Sequence, residues 1–252
     1  MTEVASSVGG GATVDRIQIE KSPGSGTEPF AAQIVRRVVT ASDDLDPIGL
    51  QAQLDLAAAV LGLARCVDEV VIPATRQLNG HLTPGRVTDQ DAIATESVRT
   101  WLNHRGLFAP APQQIKPMML ACGPRDRQLV ALESLALLLR FQRWPCRMIG
   151  ARVSTFALTV AAQATDAAGV VVMSTENRAR LHAVDSLRAV EALGIPVFFA
   201  GDAFELERNR REVPGRYLGT GMERACSLLI SALTPAAQRR SGAMESSKSE
   251  VE

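Results

Sequence analysis

The sequence is poor in several things that would narrow its function at once. Aromatic residues make up only 4% of the chain, too few for a platform on which nucleic-acid bases stack. The formal net charge is +0, so no global field draws the chain to nucleic acid or an anionic membrane. No apolar run reaches the roughly 18 residues that a membrane-spanning helix requires. The start of the chain has neither the basic segment nor the apolar stretch of a secretory signal, and a cytoplasmic protein is expected. Histidine is scarce, at His81, His104 and His182. No Walker loop, Ser-His-Asp set or converging pair of carboxylates is visible, so the expectation is a binding protein rather than an enzyme.

The four cysteines, Cys66, Cys122, Cys146 and Cys226, show neither zinc-site nor redox spacing and read as free thiols in a reducing compartment. Cys122 alone has two readings. It ends a strand beside a helix N-terminus, which would lower its pKa. Alternatively it is a small buried strand-end residue.

What is present is ordinary globular material: 46% hydrophobic and 21% charged residues. Its period changes along the chain. Residues 1–29 are glycine-rich and polar, and 235–252 are polar again; both predict disorder, because neither can bury enough apolar surface to offset the entropy of ordering. Residues 30–106 read as four helices. Phe30, Ile34, Val35 and Val38 recur at helical spacing. Asp46-Pro47 caps a second helix over 48–63. A third runs from about Arg65 to Leu78, with a kink expected at Pro73, and a fourth from Thr88 to about His104. Short connections make these an antiparallel bundle. Residues 107–114, with Pro110 and Pro112, form a linker.

From 115 to 234, strands alternate with helices five times. Strands fall at 117–121, 146–149, 169–173, 197–199 and 216–218, with a helix after each, including one at about 203–211. This pattern predicts a doubly wound parallel sheet in flavodoxin-like order. The fold class is therefore α/β with an N-terminal all-α part: a four-helix bundle followed by a flavodoxin-like five-stranded parallel sheet. Ligands of such sheets sit outside the carboxyl ends of the strands. That singles out the loops Cys122–Gln128, Ser174–Asn177 and Ala200–Ala203. Asp126 offers either a ligand contact or a helix cap. Ser174 offers a ligand contact or a cap, and Gly201 a close approach or a turn.

With the helical half in front, this order resembles the cobalamin-binding module, a four-helix cap followed by a flavodoxin-like domain. Such modules occur in light-sensing regulators of the MerR type and in corrinoid proteins of methyltransferases. The resemblance covers about residues 30–233. It is carried by Val71-Ile72-Pro73, Leu82-Thr83-Pro84-Gly85-Arg86-Val87, Asp126-Arg127-Gln128-Leu129-Val130-Ala131, Arg147-Met148-Ile149-Gly150-Ala151, Ser174, and Ile195-Pro196-Val197-Phe198-Phe199-Ala200-Gly201.

The resemblance implies a corrinoid site made of Asp126, Arg127, Gln128, Ala131, Ser174, Ala200 and Gly201, faced by Leu82 and Asp91 from the cap. The departures are specific. The family's loop one reads Asp/Glu-x-His-x-x-Gly, and its His is the lower axial ligand of cobalt. Here Gln128 holds the His position and Ala131 the Gly position, and carboxamide is a poor substitute for imidazole nitrogen. The Trp and the Glu-His pair that the regulators' cap places over the corrin correspond to Leu82, Asp91 and Ala92.

Three functions follow as expectations. One is a regulatory or sensory protein that binds corrinoid weakly or takes another small-molecule ligand, and acts in transcriptional regulation through a protein partner or as a homo-oligomer. The second is a corrinoid carrier subunit of a methyltransferase. The third is a degenerate dimerisation or docking module. Direct DNA binding is not expected. Residues 1–29 leave no room for the winged helix of family regulators, and Arg208-Asn209-Arg210-Arg211, flanked by Glu205, Glu207 and Glu212, reads as a solvated helix face.

Overall fold

The computed structural model describes residues 28–80 and 89–234. Residues 1–27 of the expected arm, the segment bearing His81 and Leu82, and the expected tail at 235–252 lie outside the described residues, as does the side chain of Asp91.

Helix α1 (Phe30–Asp43) buries Ile34, Val35 and Val38, the stripe its spacing predicts. Helix α2 (Pro47–Leu61) starts as its sequence dictates: the Asp46 carboxylate accepts from the Gly49 N–H at 2.8 Å, and Pro47 opens the first turn. The third expected helix has three parts, α3 (Leu63–Cys66), a π-helical turn (Val67–Val71) and α4 (Ile72–Gly80). Pro73 explains the division. It has no N–H to offer the Glu69 carbonyl, and its ring crowds that group. One wider turn relieves the crowding, with the Ile72 N–H bonded to Val67 O. Helix α5 (Asp89–Gly106) completes the bundle. Its Trp101 ring nitrogen donates to Asp55 at 2.7 Å.

In the second half, β1 (Met118–Cys122), α6 (Leu129–Phe141), β2 (Cys146–Gly150), α7 (Thr155–Ala164), β3 (Gly169–Met173), α8 (Arg180–Glu191), β4 (Val197–Ala200), β5 (Arg216–Tyr217) and α9 (Met222–Leu233) follow in turn. All strand pairs are parallel, in the order β2-β1-β3-β4-β5. Every residue of β1, β3 and β4 is buried, the signature of a sheet covered on both faces. One face packs on α6 and α9. The other packs on α7 and α8.

The helix expected at about 203–211 is replaced by two 3₁₀ turns, Asp202–Phe204 and Glu207–Arg210. Phe204 is the segment's one large buried side chain, edge-on to Phe199 at 4.9 Å, while Leu206 is half exposed. A single anchor gives a helix no apolar face to bury, and short helices need one to form.

The cap and the sheet share a core. Val67 and Ile72 pack into the sheet's cluster, and Val130 and Leu137 of α6 pack into the bundle's. Polar ties reinforce this. Asp68, on the π turn, accepts from the Met222 and Glu223 N–H groups at 2.6 and 3.2 Å, capping α9 from the other half of the molecule. Arg99 of α5 makes a bidentate pair with the buried Glu133 of α6, its closest contact 2.8 Å.

Candidate functional site

Three loops meet at the carboxyl edge of the sheet, and one carboxylate holds two of them together. Asp126 is 1% exposed. It accepts from the Gln128 N–H at 3.0 Å, from the Thr175 N–H and hydroxyl, and from the Glu176 N–H at 3.3 Å. Its backbone carbonyl accepts from Arg152 N–H at 2.9 Å, tying in the loop after β2. Asp126 therefore spends its side chain on the loops. It does not cap α6 from the N-cap position, which belongs to Gln128.

Loops three and four are stitched as closely. Ser174 N–H donates to Ala200 O at 3.0 Å, and Ala203 N–H donates to Ser174 O at 3.2 Å. Gly201 has φ +103°, and a Cβ built there would lie 2.2 Å from Ser174 O. Only glycine fits both the torsion and the space. The Ser174 hydroxyl is fully buried with no hydrogen-bond partner among the described residues.

Above these loops is a cleft of about 310 Å³, near the lower end of the roughly 300–1,000 Å³ typical of small-molecule sites. Ile72, Val130, Ala131, Met173 and Met222 supply its apolar surface. Thr75, Arg76, Gln128, Thr175, Glu176, Gly201, Asp202 and Thr220 add polar groups and backbone. The cap contributes through one face of α4, Ile72, Thr75 and Arg76. Arg76 pairs with Asp202 of loop four at 2.8 Å, both side chains about half exposed, so this link between the halves is worth under about 1 kcal/mol.

Of the residues singled out from sequence, Gln128, Ala131 and Gly201 line the cleft. Asp126, Ser174 and Ala200 are buried behind it and Arg127 is exposed, none of them in its wall. Asp91 belongs to the first turn of α5. Thr175, Glu176 and Asp202 lie in loops the strand pattern identifies, one or two residues beyond those singled out. Arg76 was missed altogether. Its only signal is its spacing from Ile72, one helical turn before it on the same helix face.

Among the described residues, no group of three or more His, Cys, Asp or Glu is placed to hold a metal ion. His104 sits edge-on to Phe108 at 5.3 Å, away from the cleft. No helix among the described residues is long and apolar enough to cross a membrane.

The helix N-terminus beside Cys122 does not activate it. Burial pushes this thiol strongly upward, and the nearby Asp126 and Glu133 carboxylates add to the effect. Burial likewise pushes Cys66, Cys146 and Cys226 up to about 12. Native protein at pH 8 should resist iodoacetamide, and denatured protein should expose all four thiols to it. The same shifts carry a stability consequence. The protein favours the neutral thiols, so their contribution is complete below the unfolded thiol pKa of about 8.5 and is lost as pH rises toward about 12. The urea midpoint should fall between pH 8 and pH 10.5. Rapid native alkylation, or a midpoint rising over that interval, would contradict this assignment.

No protein-family model matches the sequence, and no curated protein matches it. Among solved structures, the chain is similar to the Methanosarcina barkeri monomethylamine corrinoid protein, with a TM-score of 0.61 at 10% identity, covering 79% of this chain and 98% of that one. It also matches a cobalamin-binding protein from Desulfitobacterium hafniense, at 13% identity over 80% of this chain and 98% of that one, with a TM-score of 0.43. A third match is the methanol:cobalamin methyltransferase complex of Methanosarcina barkeri, at 11% identity over 83% of this chain and 84% of that one, with a TM-score of 0.41. The first of these carries the comparison. The fold is the one this corrinoid protein has, a helical cap followed by a flavodoxin-like domain.

Proposed function

We propose that this protein is a ligand-binding module that holds a corrinoid weakly, from its periphery, and signals occupancy to a protein partner in transcriptional regulation. The observation that carries this reading is the cleft between α4 and the strand ends, with Gln128 where the resemblance places an imidazole. The residues present fit such a ligand in part. The orphaned Ser174 hydroxyl, buried behind the cleft, would suit a polar group of such a ligand. Loop one supplies a carboxamide, and Ala131 adds a methyl to the wall. A bound corrinoid would supply a cobalt centre able to carry an alkyl group. The chain's own residues would hold it: Thr75 and Thr220 would offer hydroxyls, Arg76 a cation, and the five apolar side chains a surface that excludes water. Because Arg76 and Asp202 join cap and sheet, a ligand that separates them alters the surface offered to a partner.

The test is titration of the purified protein with hydroxocobalamin, read by equilibrium dialysis and visible spectrum. Saturable binding is expected, without the spectral change of imidazole coordination. Ala131→Trp should abolish binding by filling the cleft, and Gln128→His should tighten it. Lys116→Ala, at the opposite edge of the sheet, should change nothing. No binding at millimolar ligand, or equal loss in Ala131→Trp and Lys116→Ala, would overturn the proposal.

A second reading, a corrinoid carrier subunit of a methyltransferase, draws on the similarity to the monomethylamine corrinoid protein over 98% of that chain. Methyl transfer to the loaded protein by a partner enzyme would favour it over the regulatory role.

A further inference from the structure

A second groove, of about 360 Å³, lies on the far side of the α/β domain and shares no residue with the cleft. One wall is α8. Arg180, Val184 and Arg188 recur there at intervals of four, with Leu181 and Asp185 beside them, so they share one helix face. The other wall is the 3₁₀ turn Glu207–Arg210 and the residues after it, which contribute Arg208, Arg211, Glu212 and Val213. At three residues per turn, side chains three apart eclipse. Arg208 and Arg211 therefore come to the same side, while Arg210 turns away to lie over Tyr217, 4.6 Å from the ring centre.

Four arginines thus line a groove that also holds two carboxylates, Asp185 and Glu212, leaving an excess of positive charge. The carboxylates engage them little. Arg188 and Asp185 approach only to 3.7 Å, and Arg188 also donates to the Glu212 backbone carbonyl at 3.4 Å. Arg180 donates one terminal nitrogen to Asn209 O at 3.2 Å. Its Nε–H is buried with no acceptor among the described residues. A buried donor of this kind costs free energy until an acceptor arrives. The planar guanidinium is the side chain best shaped to grip phosphate oxygens. Arg180 and Arg188 are eight residues apart on α8, a rise of about 12 Å, too far for one phosphate to bridge.

We propose that this groove is a binding site for a small anion carrying two or more phosphates. Arg180 and Arg188 hold it from α8, Arg208 and Arg211 grip it from the turn, and Leu181, Val184 and Val213 form the apolar surface between them. The site is independent of the corrinoid reading of the cleft.

The test is isothermal titration calorimetry of the full chain with inorganic tripolyphosphate at low salt. One saturable site is expected, with affinity falling as salt rises and orthophosphate binding about tenfold more weakly. The double variant Arg208→Ala/Arg211→Ala should weaken tripolyphosphate binding about thirtyfold or more, as loss of two charge-assisted contacts implies, without lowering the unfolding temperature. Arg188→Ala, on the opposite wall, should weaken it as well. Arg36→Ala, on α1, should have no effect. Absence of binding, or equal weakening by the double variant and Arg36→Ala, would overturn the proposal. So would tighter binding of a single-stranded oligonucleotide through the same arginines, which would make the groove a nucleic-acid contact.

Discussion

Replacing Asp126 by alanine should destabilise the protein by about 2–4 kcal/mol and disorganise the cleft. The carboxylate is buried and accepts from three backbone N–H groups and one hydroxyl, drawn from loops one and three. A hydrogen bond to a charged group contributes about 1.5–3 kcal/mol, and each buried donor left unsatisfied costs about 1–3 kcal/mol. Water entering the vacated space offsets part of the loss, which is why the expected total is smaller than the sum. Asp126→Asn keeps one oxygen acceptor and should lose less than the alanine variant. Urea unfolding of both variants measures the difference. Ligand titration should show weakened binding in Asp126→Ala, although Asp126 forms no part of the cleft wall, because Thr175 and Glu176 do. A loss below about 0.5 kcal/mol, the range of an ordinary surface substitution, would mean that the carboxylate does not clamp the loops.

Gly201→Ala should cost about 3–5 kcal/mol. Two penalties combine there. The torsion, φ +103°, is one that L-residues rarely adopt, and the new Cβ would sit 2.2 Å from a backbone oxygen, Ser174 O. Backbone strain of this kind costs about 1–3 kcal/mol, and overpacking adds about 1–3 kcal/mol. Because the obstacle is backbone, loop three would have to move, carrying the Ser174–Ala200 and Ser174–Ala203 bonds with it. Gly62→Ala separates the two terms. Gly62 has φ +81° with nothing within 4 Å of the added carbon, so it should lose about 1–2 kcal/mol from torsion alone. Similar losses at both positions, read by thermal or urea unfolding, would refute the steric argument. The comparison also bears on cleft-filling tests. A large residue at 201 would disturb the fold as well as the cleft, whereas Ala131 sits on a regular helix and offers the cleaner site.

The sequence by itself determined the elements whose energetics are local. The Asp46-Pro47 start of α2, the apolar stripe of α1 and the buried valine run of β3 each follow from spacing and capping within one stretch of chain. Parallel order followed as well, because alternating strands and helices with right-handed crossovers leave few arrangements. Pro73 marked where the third helix would deform, since the missing N–H is a property of that residue alone. It did not reveal the form of the disturbance, a π turn that brings Asp68 to the N-terminus of α9.

Tertiary structure decided the rest. Asp68 meets Met222 across 154 positions of chain, and Asp126 meets Thr175 across 49. No local pattern encodes such distances. Asp126 read equally well as ligand contact or helix cap, because a carboxylate next to a helix start suits both. Packing of β3 against β1 instead brought loop three's amides to it. The four arginines of the outer groove belong to two stretches, of which Arg208–Arg211 read as a solvated helix face. They became one site when Phe204 found its place against Phe199 and left the following residues in 3₁₀ turns. A side chain's chemistry is written in its own letter, but its partners are set by how distant surfaces bury one another. The reading that most needed the fold was therefore the assignment of polar residues to their roles.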